Sequence, residues 1–379
     1  MDYATLKFLW WVLVGVLLIG FAIMDGHDMG VGTLLPFVGK NDNERRIAIN
    51  SVAPHWDGNQ VWFITGGGAL FAAWPLIYAA AFSGFYWAML LVLFALFFRP
   101  VGFEYRSKVK DPRWRSFWDW ALFVGGFVPP VIFGVAFGNL LQGVAFEFDR
   151  DMILHFQDSF FHLLNPFGLL CGLVASAMIT MQGGTYLSHR SVGDVQARAT
   201  RYARLAALVF VVLFVAAGFW LKFGGVQGFV ITAGSDPNGV ANPLLKTVAR
   251  SADAWWLNYR NMPWLWIFPV LAVGGALAAA WLVGKGKTLS SFVASSLSIV
   301  GTIVTPSAAM FPFMMPSYNH PASSLTVWDA SSSHLTLGIM LAGVVLFVPI
   351  VLVYTSWAYR MMRGKITEAQ IEAKDKYLY

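Results

Sequence analysis

Long uncharged stretches recur along most of the chain. Residues 8–24 and 58–98 contain no Asp, Glu, Lys or Arg, and similar stretches follow as far as residue 359. A membrane-spanning α-helix needs about 20 mostly apolar residues, at about 1.5 Å of rise per residue. The 58–98 stretch is too long for one span, and Ala73-Trp74-Pro75 indicates a turn that divides it into two. The pattern therefore predicts nine membrane helices.

The predicted helices form one polytopic membrane domain of the all-α class, over residues 1–379. They cover about 6–34, 52–73, 77–103, 118–145, 160–188, 202–222, 262–284, 288–314 and 334–361. Two four-helix units plus one peripheral helix is the simplest grouping. Between 222 and 260, turn sequences such as Asp236-Pro237-Asn238-Gly239 indicate an irregular loop with one short helix.

Composition supports lipid as the surrounding solvent. Of the 379 residues, 57% are hydrophobic and 12% charged, whereas soluble domains carry roughly 25% charged residues. The net charge of +6 does not indicate nucleic-acid binding, because the basic residues lie in short clusters between apolar stretches. A single cysteine, Cys171, rules out an internal disulfide. The N-terminal stretch has no small-residue cleavage site, so we expect a retained first helix.

The distribution of basic residues predicts the orientation in the membrane. If the N-terminus lies outside, 20 of the 26 Lys and Arg residues fall on the inner side and six on the outer side. Cytoplasmic loops are enriched in Lys and Arg. We therefore expect an external N-terminus and a cytoplasmic C-terminus.

Five ionisable residues lie at or within the predicted inner ends of the first three helices. They are Asp25, Asp28, Asp57, Arg99 and Glu104. Asp25 and Asp28 share a helix face because they are three residues apart. Charged groups at membrane depth are costly, so each needs a reason. Two interpretations remain open: a proton-entry path from the cytoplasm, or carboxylates that pair with Arg99 and the basic loops to hold the helix ends together.

The seven histidines include no HxxxH or HExxH pair. A metal or haem site on a helix commonly uses such spacing, so we expect no metal site and no haem ligation in this chain. His27 and His55 lie near the acidic residues. Gly134 and Gly138 form a GxxxG spacing, which fits close helix packing within the chain or against a partner.

Several of these sequence stretches resemble subunit II of cytochrome bd-type quinol oxidases. They include Asp25-Gly-His-Asp-Met-Gly30, Ala53-Pro-His-Trp-Asp-Gly-Asn-Gln-Val-Trp62, Leu96-Phe-Phe-Arg-Pro-Val-Gly-Phe-Glu-Tyr-Arg106, Phe133-Gly-Val-Ala-Phe-Gly-Asn-Leu-Leu-Gln-Gly143 and Met310-Phe-Pro-Phe-Met-Met-Pro316. The resemblance covers essentially the whole chain. In the family, Phe usually stands at the position of His27, and Asp is also common at that of Glu104.

The resemblance implies a heterodimer in a bacterial inner membrane, with a related nine-helix subunit I and in some cases a small single-helix subunit. Subunit I is expected to carry haem b and haem d and to oxidise quinol, while oxygen is reduced to water. This chain would bind no haem and would contribute no catalytic residue. It would contact lipids, and in some members of the family the corresponding subunit holds a structural quinone.

By motif, the resemblance implies that Asp57 transfers protons and that Asp25 and Asp28 lie along or near the path. Arg99, Glu104, His27 and Trp56 would be supporting partners. A secondary transporter or channel with an inner carboxylate cluster is the alternative function. A purely structural scaffold for subunit I is a third interpretation.

Overall fold

The computed structural model describes residues 1–373, which form 14 α-helices and six short strands. The helices are α1 (Tyr3–Val38), α2 (Asp42–Val52), α3 (Trp56–Ala73), α4 (Pro75–Gly84), α5 (Tyr86–Tyr105), α6 (Pro112–Gln142), α7 (Phe160–Leu163), α8 (Pro166–Arg190), α9 (Gly193–Phe223), α10 (Ala254–Asn261), α11 (Ile267–Gly284), α12 (Thr288–Met310), α13 (His334–Met361) and α14 (Glu368–Ala373). The strands are β1 (Phe146–Phe148), β2 (Leu154–Phe156), β3 (Gly228–Ala233), β4 (Thr247–Ser251), β5 (Phe313–Met315) and β6 (Leu325–Thr326). Two residues counted on the inner side, Lys374 and Lys376, lie outside the described part of the chain.

Membrane-length helices dominate the fold. Within residues 1–373, eight helical segments are long and apolar enough to cross a membrane: α1, α5, α6, α8, α9, α11 with its preceding turn, α12 and α13. The prediction of an all-α, multi-pass membrane protein is confirmed. The remaining predicted span corresponds to α3, whose 18 residues begin with a polar turn that contains Asp57, Asn59 and Gln60.

Two predicted helices are interrupted. The helix expected over 77–103 consists of α4 and α5, with Phe85 between them in a non-helical conformation. The helix expected over 160–188 consists of α7 and α8. Pro166 disfavours helical backbone at the residue before it, and the Asn165 side chain caps α8 by accepting a hydrogen bond from the Gly168 N–H at 2.8 Å. The helix expected to reach residue 314 ends at Met310, just before Pro312, and the chain continues as β5.

The spanning helices pack in two groups joined through α1, α6 and α8. In one group α8 and α12 pack on α9 and α11; in the other, α1 packs on α3 and α6, and α5 packs on α6. Only 6% of the most apolar stretch of α13 is buried, and this helix touches the rest of the fold mainly at α1. The arrangement agrees with two four-helix units and one peripheral helix.

Glycines set the distance between the two groups. A Cβ added to Gly30 of α1 would overlap the Ile179 carbonyl oxygen and lie 2.8 Å from the Gly183 Cα of α8. The GxxxG pair of α6 also faces α8, where a Cβ added to Gly138 would lie 2.8 Å from the Gly168 Cα. The GxxxG spacing therefore serves packing within the chain, as small residues do in membrane helices.

The segment from 222 to 260 holds the predicted short helix, α10, together with the β3–β4 hairpin. Two buried lysines hold the loops at this end of the fold through hydrogen bonds and an ion pair. Lys7 donates to the backbone oxygens of Pro237, Gly239 and Trp328 at 2.6–3.3 Å, and Lys246 pairs with Asp329 at 2.9 Å. Burial lowers the pKa of Lys246, and the Asp329 carboxylate opposes this shift.

Candidate functional site

A buried arginine–carboxylate pair lies at the centre of the candidate site. Arg99 of α5 donates from Nη1 to Asp25 Oδ2 at 2.8 Å and from Nη2 to Asp25 Oδ1 at 2.5 Å. The two side chains are 2% and 0% exposed. The Arg99 guanidinium also lies 5.9 Å from the ring centre of Trp56. A bidentate pair of this kind fixes both geometry and charge, so Arg99 joins α5 to α1.

Asp28 lies beside this pair but has no arginine of its own. Its Oδ2 accepts a hydrogen bond from Asn59 Nδ2 at 2.7 Å and lies 4.0 Å from Arg99 Nη2. Its Oδ1 lies 3.3 Å from His27 Nε2 and 3.6 Å from His55 Nδ1. Since Arg99 already compensates Asp25, the cluster contains one more carboxylate than guanidinium.

Hydrogen bonds extend from Asp28 to two further helices. Asn59 Nδ2 lies 3.1 Å from His55 Nδ1, and His55 Nε2 lies 2.8 Å from the Tyr186 hydroxyl of α8. The Tyr359 hydroxyl of α13 donates to Asn59 Oδ1 at 2.7 Å. Polar side chains from α1, α3, α8 and α13 thus meet in one connected network.

The partners of His55 assign its tautomer. The Tyr186 hydroxyl donates to the Ser51 carbonyl oxygen at 3.2 Å, which leaves the phenol oxygen to accept from His55 Nε2–H. His55 Nδ1 is then the acceptor for Asn59. His55 precedes α3. With Nε2 as a donor and Nδ1 as an acceptor, its imidazole is neutral.

His27, Asp28 and His55 also have the donor atoms of a metal site. One ligand atom from each lies within 4.8 Å of the others, and all three residues are buried. The sequence spacing did not predict this grouping, because the two histidines come from different elements, α1 and the residue before α3. The same atoms are equally suited to hold a proton, because each is a proton acceptor.

The remaining sequence candidates lie apart from this cluster. Asp57 and Glu104 are exposed, and Trp56 is half-buried. Asp57 precedes Asn59 by two residues, which places the two side chains about 200° apart around α3. Because Asn59 faces the buried carboxylates, Asp57 faces outward near the same end of the helix. The structure brings together Asp25, Asp28, Arg99 and His27, but not Asp57 or Glu104.

Three residues of the network were not predicted from the sequence. Asn59 was within reach of sequence reasoning, because it lies one helical turn after His55 in the same HWDGN stretch. Tyr186 and Tyr359 carry no local signal: a tyrosine near a span end is typical of an aromatic belt. Only the packing of α8 and α13 places their hydroxyl groups near His55 and Asn59.

A second polar network near the same end has a structural character. Asp119 accepts from Arg106 Nε at 2.5 Å and from Arg45 Nη1 at 2.7 Å. Asp42 pairs with Arg106 and Arg115. Every carboxylate in this network faces at least one guanidinium, so it fits the interpretation that acids and basic loops hold helix ends together.

The comparisons with known proteins cover nearly the whole chain. A model of the family described as "Cytochrome bd terminal oxidase subunit II" matches residues 6–362. The chain is 55% identical to the "Cytochrome bd-I ubiquinol oxidase subunit 2" of Escherichia coli K12 over 378 residues, with 100% of both chains covered. It is 32% identical to the "Cytochrome bd ubiquinol oxidase subunit 2" of Bacillus subtilis, with 97% of this chain and 98% of that one covered.

A solved structure supports the fold. A chain from the bd oxidase of Geobacillus thermodenitrificans matches with a TM-score of 0.71 and 12% identity, covering 96% of this chain and 99% of that one. These relatives do not favour the transporter or channel alternative. A second subunit implies a subunit I partner, and cytochrome bd oxidases are haem-containing, terminal respiratory enzymes. The sequence resemblance is confirmed, and this multi-pass membrane chain belongs to the family of cytochrome bd terminal oxidase subunit II.

Proposed function

We propose that this chain is the haem-free subunit of a quinol-oxidising, oxygen-reducing complex, in which it supports assembly and provides a proton-entry path from the cytoplasm. The observation that carries the proposal is the buried carboxylate of Asp28, which has no arginine of its own. Structural ion pairs are compensated, as in the Asp119 network. An ionisable group left uncompensated at membrane depth is typical of a proton pathway.

The proposed path begins at Asp57 and ends at the buried cluster. Asp57 is exposed on the first turn of α3, while Asn59 and His55, on either side of it in sequence, contact Asp28. A proton taken up at Asp57 would move from the outward side of α3 to its buried side, where it reaches the network of Asn59, Asp28 and Asp25. Asp25 holds Arg99 in place and sets the electrostatic field at the end of the path.

The haems are assigned to subunit I in this proposal. Within residues 1–373, the two buried histidines are His27 and His55. His27 Nδ1 and both ring nitrogens of His55 contact backbone or side-chain groups of the polar cluster, and His27 Nε2 faces the Asp28 carboxylate. His155, His162, His320 and His334 are exposed, and His189 contacts Thr288. These histidines do not fit axial ligation of a haem, which needs a free nitrogen facing an apolar cavity.

Subunit I is the proposed occupant of part of the exposed apolar surface. Exposed large hydrophobic residues occur along α3, α5 and α13, and lipids would cover what the partner leaves free. The family resemblance is the basis for expecting a small single-helix subunit, a quinol and a structural quinone as binding partners. We assign no residues of this chain to them. The resemblance also places the complex in the bacterial inner membrane, with the N-terminus outside by the distribution of Lys and Arg.

The substitution Asp57→Asn in the assembled complex tests the path. We expect quinol oxidation to slow by on the order of tenfold to a hundredfold, because proton delivery to the oxygen chemistry becomes limiting. Asp194→Asn is the matched control, since Asp194 is also an exposed carboxylate in the first turn of a membrane helix. Unchanged turnover of Asp57→Asn with normal haem content would remove Asp57 from the path.

Co-purification tests the assignment to a complex. The chain should isolate with a larger haem-bearing subunit, and the chain expressed alone should show no haem absorption bands. Haem bands from the chain alone would contradict the haem-free assignment. Isolation as a homo-oligomer without haem would instead favour a transporter.

A further inference from the structure

The orientation of His27 in the cluster leaves one ring nitrogen facing a carboxylate. His27 Nδ1 lies 3.0 Å from the Ile23 carbonyl oxygen. A carbonyl can only accept, so Nδ1 must carry the hydrogen. In the neutral imidazole Nε2 is then an acceptor with a lone pair. This Nε2 is fully buried and has no hydrogen-bond donor among the described residues.

The group facing this nitrogen is also an acceptor. Asp28 Oδ1 lies 3.3 Å from His27 Nε2, and within residues 1–373 no donor reaches that oxygen either. A neutral histidine beside an ionised aspartate would therefore place two lone pairs against each other in a site that excludes water. Buried polar atoms without partners are costly. One proton between the two atoms removes both unsatisfied acceptors.

In the described part of the chain, the charged and titratable groups around the pair supply no hydrogen-bond donor to Asp28 Oδ1 or His27 Nε2. Asp25 and Arg99 compensate each other within the bidentate contact. The other groups that face the pair are His55 beside α3, Tyr186 and Arg190 on α8, and Tyr359 on α13. His55 is neutral, and the two tyrosines are uncharged phenols. Arg190 is the one cation among these groups; its Nη1 donates to the Gly364 carbonyl oxygen and it forms no ion pair with Asp28, so the two unsatisfied acceptors of the pair remain.

We propose that His27 and Asp28 together bind one proton and form a buried proton store next to the Arg99–Asp25 pair. The proton is covalently bound to Asp28 Oδ1 and donated to His27 Nε2, or it moves to Nε2 as Asp28 becomes a carboxylate. Each form conserves the atoms and the net charge of the pair. As a store on a proton-entry path the inference rests on the proposed function, whereas the shared proton rests on this geometry alone.

The test is ¹⁵N-histidine solid-state NMR of the purified, assembled oxidase complex. The substitution His27→Phe identifies the His27 signals as those that disappear. In the unsubstituted complex we expect the Nε2 signal of a protonated or strongly hydrogen-bonded nitrogen, unchanged between about pH 6 and 8, because two coupled groups titrate as a pair and not as an isolated imidazole. An isolated histidine would titrate near pH 6.5.

Asp28→Asn supplies the second measurement. Without the carboxylate, the Nε2 signal should move to that of a neutral nitrogen that merely accepts a hydrogen bond. His162→Gln is the control, since His162 and Asp158 form an exposed histidine–aspartate contact. Loss of that pair should leave the His27 signals unchanged.

Three results would overturn the inference. They are an Nε2 signal typical of a nitrogen that is neither protonated nor strongly hydrogen-bonded in the unsubstituted complex, a His27 signal that titrates near pH 6.5, and a signal that Asp28→Asn leaves unchanged. Metal analysis is part of the experiment: one transition-metal ion per complex, lost in His27→Phe, would show that the cluster binds a metal instead of a proton. None of these results depends on turnover, so failure here is distinct from failure of the Asp57→Asn test.

Discussion

Charge compensation is the feature that separates the two polar networks at the residue scale. Asp119 contacts two guanidinium groups, whereas Asp28 accepts a hydrogen bond from the Asn59 amide and has two neutral imidazoles beside its other oxygen. Burying an ionised carboxylate without a partner is costly, and such a group tends to become neutral. A proton bound at Asp28 therefore removes this cost.

Removal of Arg99 should destabilise the subunit severely. Arg99→Leu leaves the carboxylate of Asp25 without its bidentate partner, next to Asp28. Breaking a buried ion pair from one side costs about 3–5 kcal/mol. We expect this decrease in the free energy of unfolding in detergent, measured by denaturant titration.

The control for this prediction is Arg201→Leu. Arg201 is exposed at the start of α9, and surface substitutions usually change stability by less than about 0.5 kcal/mol. Equal effects of the two substitutions would mean that the Arg99–Asp25 pair does not hold α5 to α1.

Part of the arrangement of these charged residues could be predicted from the sequence. The three-residue spacing of Asp25 and Asp28 placed both on one face of α1, and charge bias placed Arg99 near them. The outward direction of Asp57 was not accessible, because it depends on the rotation of α3 that packing of Asn59 against Asp28 fixes. The contact of His27 with Asp28 depends on a side-chain rotamer, which no spacing rule determines.

At the scale of elements, helix proximity depends on a small number of glycines. The backbones of α1 and α8 approach each other closely at Gly30 and Gly183. Without this approach, Tyr186 of α8 would not reach His55. The network around Asp28 would then lose its connection to the group formed by α8, α9, α11 and α12. Packing and the polar site are thus coupled through the α1–α8 contact.

Gly30→Val should prevent this contact. The added side chain would overlap the backbone of α8 at Ile179 and Gly183, and overpacking of this kind costs about 1–3 kcal/mol or more. Gly15→Val is the matched control in the same helix, because a Cβ at Gly15 meets nothing within 4 Å. The yield of assembled complex after membrane extraction measures the difference.

Equal yields for Gly30→Val and Gly15→Val would contradict the close α1–α8 approach.

The hydrophobic pattern could predict the helices but not this contact, because glycine is frequent throughout the chain. The interruption at Phe85 was also outside the reach of pattern reasoning. Backbone hydrogen bonds continue across it, from the Phe85 N–H to Ala81 and from the Met89 N–H to Phe85, and the surrounding sequence is uncharged.

At the scale of the whole molecule, orientation decides which side supplies the protons. The predicted N-out topology places Asp25, Asp28 and Asp57 towards the cytoplasm and the β3–β4 hairpin outside. This prediction rests on the distribution of Lys and Arg residues. A path from the cytoplasm requires it.

Single-cysteine labelling tests the topology. In a Cys171→Ala background, Asp236→Cys in the outer loop should react with a membrane-impermeant maleimide in intact spheroplasts. Lys110→Cys, in the loop between α5 and α6, should react only after permeabilisation. Both positions are exposed, so accessibility within the fold does not separate them. The opposite labelling pattern would place the acidic cluster outside.

Proton uptake by the assembled oxidase tests the central claim most directly. In vesicles of known orientation, a pH-sensitive dye on the cytoplasmic side follows proton uptake after an oxygen pulse to the quinol-reduced enzyme. With haem content intact, Asp57→Asn should slow this uptake on the order of tenfold to a hundredfold, and Asp194→Asn should leave it unchanged. Uptake by Asp57→Asn at the unsubstituted rate would contradict a proton-entry path through this subunit.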